Sequence, residues 1–148
     1  MTQVTEKENI AVIEREIEAF NRKDWDAYLA CFDKSVVTLE PDEDTPILGH
    51  EGLKRRVVTY TRAFPDVRLE TERMFGQGDL VCLNSLFIGT HKGDLPGPGA
   101  TQIPATGKSV RVHGCSVFRI RKGKITEFIG YYDQVELFNQ IGKKVRLQ

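Results

Sequence analysis

The stretch SVRVHGCSVFRI, Ser109 to Ile120, alternates its side chains between two faces and then meets a Lys122-Gly123 pair. A period of two is that of a strand with one buried face, and a Lys-Gly pair suits a tight hairpin turn. The segment ITEFIGYY, Ile125 to Tyr132, supplies the returning strand. Upstream, VRLETERMF and LVCLNSLFIGTH repeat the pattern on either side of Gly76-Gln77-Gly78-Asp79. A run of antiparallel strands, each with one apolar face, must find a cover for that face.

The first 64 residues provide it. Ile10, Ile13, Ile17 and Phe20 recur at helical spacing, with Thr5 and Glu8 placed as a capping box. Asp24 is placed to cap a second, short helix with Trp25, Leu29 and Phe32 on one face, and SVVTLE then reads as a strand stopped by Pro41. Leu53, Val57, Tyr60 and Phe64 form the stripe of a third helix that ends at Pro65. DQVELFNQIG closes the chain as a helix. Helices first and antiparallel strands second predict an α+β domain, a single unit over residues 1–148, in which helices cover the concave face of a curved antiparallel sheet and leave a cone-shaped cavity. The Gly/Pro-rich loop from Lys92 to Thr106 has the length of a lid.

Charge and cysteine content narrow the partners. Twenty-one basic residues balance twenty-one acidic ones, so no net field draws the chain to nucleic acid or an anionic membrane. The clusters at Lys54 to Arg56 and Arg121 to Lys124 read as a helix face and a hairpin tip. Cys31, Cys82 and Cys115 are odd in number and lack a CxxC pair, which fits reduced thiols in a cytoplasmic protein better than a disulfide framework or zinc site. No apolar run is long enough to span a bilayer, and no signal peptide is visible. Neither a metal nor a nucleotide motif is present, so no cofactor is expected.

The segments FIGTHKGDLPG and PATGKSVRVHGCSVFRIRKGKITEFIGYYDQVELFNQIG resemble the SnoaL-like polyketide cyclases, within the nuclear-transport-factor-2-like (NTF2-like) fold. NRKDWDAYLACF, GHEGLKRRV and AFPDVRLE follow in the expected order. The resemblance implies a cone fold and a chemistry in which a carboxylate deep in the cone moves a proton, as in aldol cyclisation of a polyketide or activation of water by related epoxide hydrolases. The family pattern is an aromatic in the final strand, the acid two positions later, and a second Asp three residues on. Laid on EFIGYYD, the aromatic is Phe128, the second Asp is Asp133, and the acid's place falls on Gly130. The hydrolase partner positions fall on Ser85 and Phe87, and the cyclase histidine on Ser116, so epoxide hydrolysis by that route is not expected and neither known mechanism transfers intact.

The remaining candidates follow from strand parity. His113 shares the outer face with Arg111, Cys115 and Val117, where it suits a surface or a subunit contact, and a homodimer through that face is expected. His91 shares the inner face with Val81, Leu83, Ser85 and Phe87, either as a general acid or base at the cavity mouth or as a pin for the loop. Asp133, with Glu136 three residues on, has the form of a helix cap and is otherwise the reserve acid. The expected catalytic residues are thus His91 and Asp133. The expected substrate-binding residues are Trp25, Tyr60, Ser85, Phe87, Ser116, Phe128, Gly130 and Tyr132, with aromatic walls suited to a small hydrophobic ligand. The expected function is cofactor-independent cyclase- or isomerase-type chemistry on a small carbonyl or ester compound. The alternative is a pocket that binds a small molecule without turning it over.

Overall fold

A computed structural model describes residues 2–97 and 101–144. The chain forms α1 (Thr2–Arg22), α2 (Trp25–Ala30), β1 (Phe32–Leu39), β2 (Ile47–Leu48), α3 (Gly49–Ala63), β3 (Arg68–Gln77), β4 (Leu80–Thr90), β5 (Leu95–Pro96), β6 (Gln102–Ile103), β7 (Ser109–Arg121), β8 (Lys124–Tyr132) and α4 (Gln134–Gln140). No helix among the described residues is long and apolar enough to cross a membrane.

Six strands make one sheet in the order β2-β1-β8-β7-β4-β3. The run from β3 through β4 and β7 to β8 is antiparallel, whereas β1 joins β8 in parallel. The β7–β8 turn places Lys122 and Gly123 at φ 52° and 75°, the left-handed conformation that a two-residue hairpin turn requires and glycine adopts freely. Gly78 at φ 60° serves the β3–β4 turn, so β3 runs on through Gly76 and Gln77, beyond the boundary read from the sequence.

Register decides what the inner face presents. Leu83 lies opposite Ser116 and Ser85 opposite Gly114, while Ser116 faces Gly130 and Phe118 faces Phe128. Residues opposite one another in an antiparallel pair point the same way, so these side chains share one surface. Helices α1 and α3 pack over it, and Ile13, Val57, Phe64, Val81, Phe118 and Ile125 are buried between the layers. The short helix α4 closes the side. Asp133 caps it by accepting a hydrogen bond from the Glu136 amide at 2.9 Å. Gln140 then bonds both the amide and carbonyl of Arg111, and Glu136 accepts from the His113 amide. These contacts satisfy the backbone edge that β7 exposes where β8 has ended, which is how an unpaired edge is protected.

Three local readings differ. Phe32, read onto the second helix, opens β1 instead, because α2 ends at Ala30. Thr5 and Glu8 do not start the first helix, because α1 begins at Thr2 and carries both inside it. The stretch read as a lid contains a two-residue ladder, β5 with β6, whose Leu95 is buried; residues 98–100 of this loop lie outside the described residues. Its near end is tied down by Lys92 and Gly93 amides on the Ala63 carbonyl.

Candidate functional site

A cavity of about 170 Å³ lies between the inner sheet face and the helices. Its floor is Leu83, Ser85 and Phe87 of β4, Val112, Gly114, Ser116 and Phe118 of β7, and Phe128, Gly130 and Tyr132 of β8. Its walls are Glu16 and Phe20 of α1, Tyr28 of α2, Glu40, Leu53, Arg56, Val57 and Tyr60, with Leu137 from α4. The lining is mostly apolar and aromatic, with a few polar groups, which is the make-up of a small-molecule site.

Of the residues expected to contact a ligand, Tyr60, Ser85, Phe87, Ser116, Phe128, Gly130 and Tyr132 border the cavity. Trp25 does not. It stands one layer back, edge-on to Phe20 at 5.7 Å and to Tyr28 at 5.8 Å, so it supports the aromatic wall. His91 also falls outside the lining. Parity put it on the inner face, but it lies past the last residue of β4, fully buried, with Nδ1 accepting from the Thr106 amide at 3.3 Å and lying 3.0 Å from the Thr106 hydroxyl. Burial lowers its basicity. It joins the start of the β5–β6 segment to its end, as the loop-pin reading has it. Asp133 is exposed and committed to the α4 cap.

The charged part of the site is a cluster around Arg56. Its guanidinium meets Glu40 at 3.3 Å, Asp42 at 2.9 Å and Glu43 at 3.5 Å. The Arg56 and Glu40 side chains are only 11% and 13% exposed. Burial raises the Glu40 carboxyl above the usual carboxylate range, with Arg56 opposing it. For Asp42 burial also acts upward, but Arg56 and the Tyr60 hydroxyl outweigh it and the group is held below its ordinary value. The Tyr60 hydroxyl donates to Asp42 at 2.7 Å. With that proton used, Tyr60 accepts from the Tyr132 hydroxyl at 3.0 Å, so both phenolic protons are engaged within the network.

Gly130 explains where Glu40 sits. A Cβ at position 130 would lie 2.8 Å from Glu40 Oε2 and 2.8 Å from the Phe128 ring. Both contacts are well inside van der Waals separation, so the glycine is what admits the Glu40 carboxylate. The position left without an acid by the final strand is filled in space by an acid from the end of β1.

Glu16 and Arg56 escaped the reading of the sequence, and one signal marks both. Glu16 interrupts the α1 stripe Ile13, Ile17, Phe20, and Arg56 interrupts the α3 stripe Leu53, Val57, Tyr60. A charge on the buried side of an amphipathic helix is expensive and is a pointer to function. Glu16 is 3% exposed, and its Oε2 has no hydrogen-bond partner within the protein. Burial pushes its carboxyl up to about 8.

A curved sheet wrapped with helices around an apolar cavity that holds buried carboxyl groups makes an α+β cone. Residues 10–141 match the model of the SnoaL-like polyketide cyclase family, and the chain belongs to that family. No curated protein matches the chain in sequence. Solved structures of similar fold include AclR from Streptomyces galilaeus, 24% identical over 94% of this chain and 98% of that one, with a TM-score of 0.80. IdmH from Streptomyces antibioticus is 25% identical over 90% of this chain and 98% of its own, TM-score 0.78. A SnoaL-like protein from Jannaschia sp. CCS1 is 17% identical over 95% of each chain, TM-score 0.81.

Proposed function

We propose that the protein is a cofactor-independent enzyme of the cyclase or isomerase type, moving a proton on a small carbonyl or ester compound, with Glu40 as the base. The observation that carries this reading is the Glu40 carboxylate standing in the space that a side chain at Gly130 would occupy, within reach of the Arg56 guanidinium. A carboxylate raised by burial is a stronger base than one in water, closer to what abstraction of an α-proton requires. Arg56 holds it in place. In the step proposed, Glu40 takes a proton from the carbon next to the carbonyl, the C–H electron pair moves into the enolate, and the resulting acid returns a proton at the new position. Ser85 and Ser116, on the cavity floor, supply hydroxyl donors near the developing oxyanion.

The structural relatives carry differing descriptions, AclR as a candidate hydroxylase and IdmH as a candidate polyketide cyclase. Family membership therefore leaves the reaction to the residues of this chain. One observation favours binding without turnover: neither His91 nor Asp133, the two groups expected to move protons, borders the cavity. Solvent exchange separates the readings without the natural substrate. 1-Indanone, a flat ketone of one aromatic ring with α-protons, is incubated with the protein in deuterium oxide and followed by NMR. An enzyme of the proposed kind accelerates deuterium uptake at the α-carbon, and Glu40→Gln removes about a hundredfold or more of that acceleration. Binding of 1-indanone with no acceleration would leave the binding reading.

A further inference from the structure

Helix α1 carries one acid into the cavity, and the Glu40 chemistry does not use it. Glu16 borders the cavity alongside Phe20 and Tyr28, is almost fully buried, and leaves Oε2 without a partner in the protein. A buried polar atom without a partner is costly, and natural structures retain few of them. Burial favours its neutral form, a carboxylic acid with one O–H to donate. Of the phenols that line the cavity, Tyr60 and Tyr132 already spend their protons within the Arg56 cluster, which leaves Tyr28 and Tyr131, besides Glu16, as groups that can donate to a guest.

The same cavity disfavours anions. Among the described residues that line it the one guanidinium, Arg56, is met by three carboxylates, so no uncompensated positive charge is left for a ligand carboxylate, and an entering anion would meet Glu40 instead.

We propose that Glu16 is a specificity-determining residue, donating a hydrogen bond from its carboxylic acid to a carbonyl or hydroxyl oxygen of the ligand, and that the cavity selects neutral, flat oxygen-bearing compounds over both hydrocarbons and carboxylates of the same shape. This deepens the proposed function and rests on it for the identity of the reaction; the binding preference has its own readout.

The titratable and charged groups around Glu16 are Tyr28 on α2 and Cys31 at its end, with Glu40 and Arg56 beyond Tyr28 and Arg15 and Lys124 beyond Cys31. Burial pushes the Tyr28 hydroxyl and the Cys31 thiol up, so neither ionises as Glu16 does on crossing about pH 8.

The test is calorimetric titration of 1-indanone, indane and indane-1-carboxylate into the wild type, Glu16→Gln and Glu16→Leu. Wild-type protein is expected to bind 1-indanone more tightly than indane, and indane more tightly than the carboxylate. Glu16→Leu should weaken 1-indanone about tenfold, the size of one lost hydrogen bond, while holding or improving indane. Glu16→Gln keeps a donor of the same shape and should retain the ketone preference. Above pH 8, ketone affinity should fall in the wild type and stay level in Glu16→Gln. Equal ketone affinity in wild type and Glu16→Leu, no saturable binding of 1-indanone, or tightest binding of the carboxylate would each overturn the proposal. If Leu at this position prevents folding, the wild-type and Glu16→Gln pH profiles decide it: parallel profiles overturn it. Glu40-dependent deuterium uptake that persists while these results fail would sink the Glu16 inference alone and leave the proton-transfer reading standing.

Discussion

Replacing Glu16 by Gln should stabilise the fold, and by an amount that grows with pH. Burial carries the Glu16 carboxyl from an ordinary 4.5 to about 8. At 1.36 kcal/mol per pH unit, ionising it inside the fold costs about 5 kcal/mol more than ionising it in the unfolded chain. Because the folded value lies above the unfolded one, the unfolded chain releases this proton first. The penalty is absent below about pH 4.5, develops as pH rises, and is complete above about pH 8. At pH 7 it amounts to about 3 kcal/mol. Glutamine has nearly the same shape and no charge to desolvate, so Glu16→Gln should match the wild type near pH 4 and exceed it by about 3 kcal/mol at pH 7. For a domain of this size that is roughly 6–12 °C in Tm. Urea unfolding of both proteins across pH 4 to 8.5 gives the difference curve, in which all other titrating groups cancel. A flat difference would refute the placement of Glu16 as a buried acid, and a Glu16→Gln variant that loses stability with rising pH would reverse the sign of the reasoning.

Other outcomes follow from the same geometry. Gly130→Ala drives a Cβ into Glu40 and Phe128 and should cost about 1–3 kcal/mol in urea unfolding; adding Glu40→Ala should return part of that loss, a coupling that a double-mutant cycle reads directly. Arg56→Met strands the buried Glu40 and should lower stability by about 3–5 kcal/mol. Asp133→Ala removes the α4 cap and should cost about 1 kcal/mol while leaving deuterium uptake unchanged, which checks that this acid has no part in the chemistry. Because burial raises Glu40, the rate of uptake should climb with pH through a midpoint above the ordinary Glu value, and a midpoint at or below that value would contradict the assignment.

The strands and hairpins were legible in the sequence because each is written locally. Alternation along Ser109 to Ile120 set Ser116 and His113 on opposite faces, and the structure agrees, with Ser116 lining the cavity and His113 outside it. The family pattern pointed to Gly130 as the place where an acid is missing. What filled that place was not legible. Glu40 lies 90 positions away and reaches Gly130 only because β1 joins β8 in parallel, a long-range pairing that no local period announces. Parity failed differently at His91: it fixes the side of a sheet but not how far along the strand the cavity extends. Two of the buried charges, Glu16 and Arg56, stand as breaks in apolar stripes, yet only packing shows that both stripes close over one cavity.

Glu40, the residue after β1, is expected to do what an acid at position 130 would do from β8. Deuterium uptake by 1-indanone in the wild type, Glu40→Ala and Glu40→Ala/Gly130→Asp tests it most directly. Uptake should collapse in the single variant and recover at least tenfold when the carboxylate is returned at position 130, Glu40→Ala having removed the Glu40 contact there and the Phe128 ring having to shift. Uptake at the wild-type rate in Glu40→Ala would contradict the account.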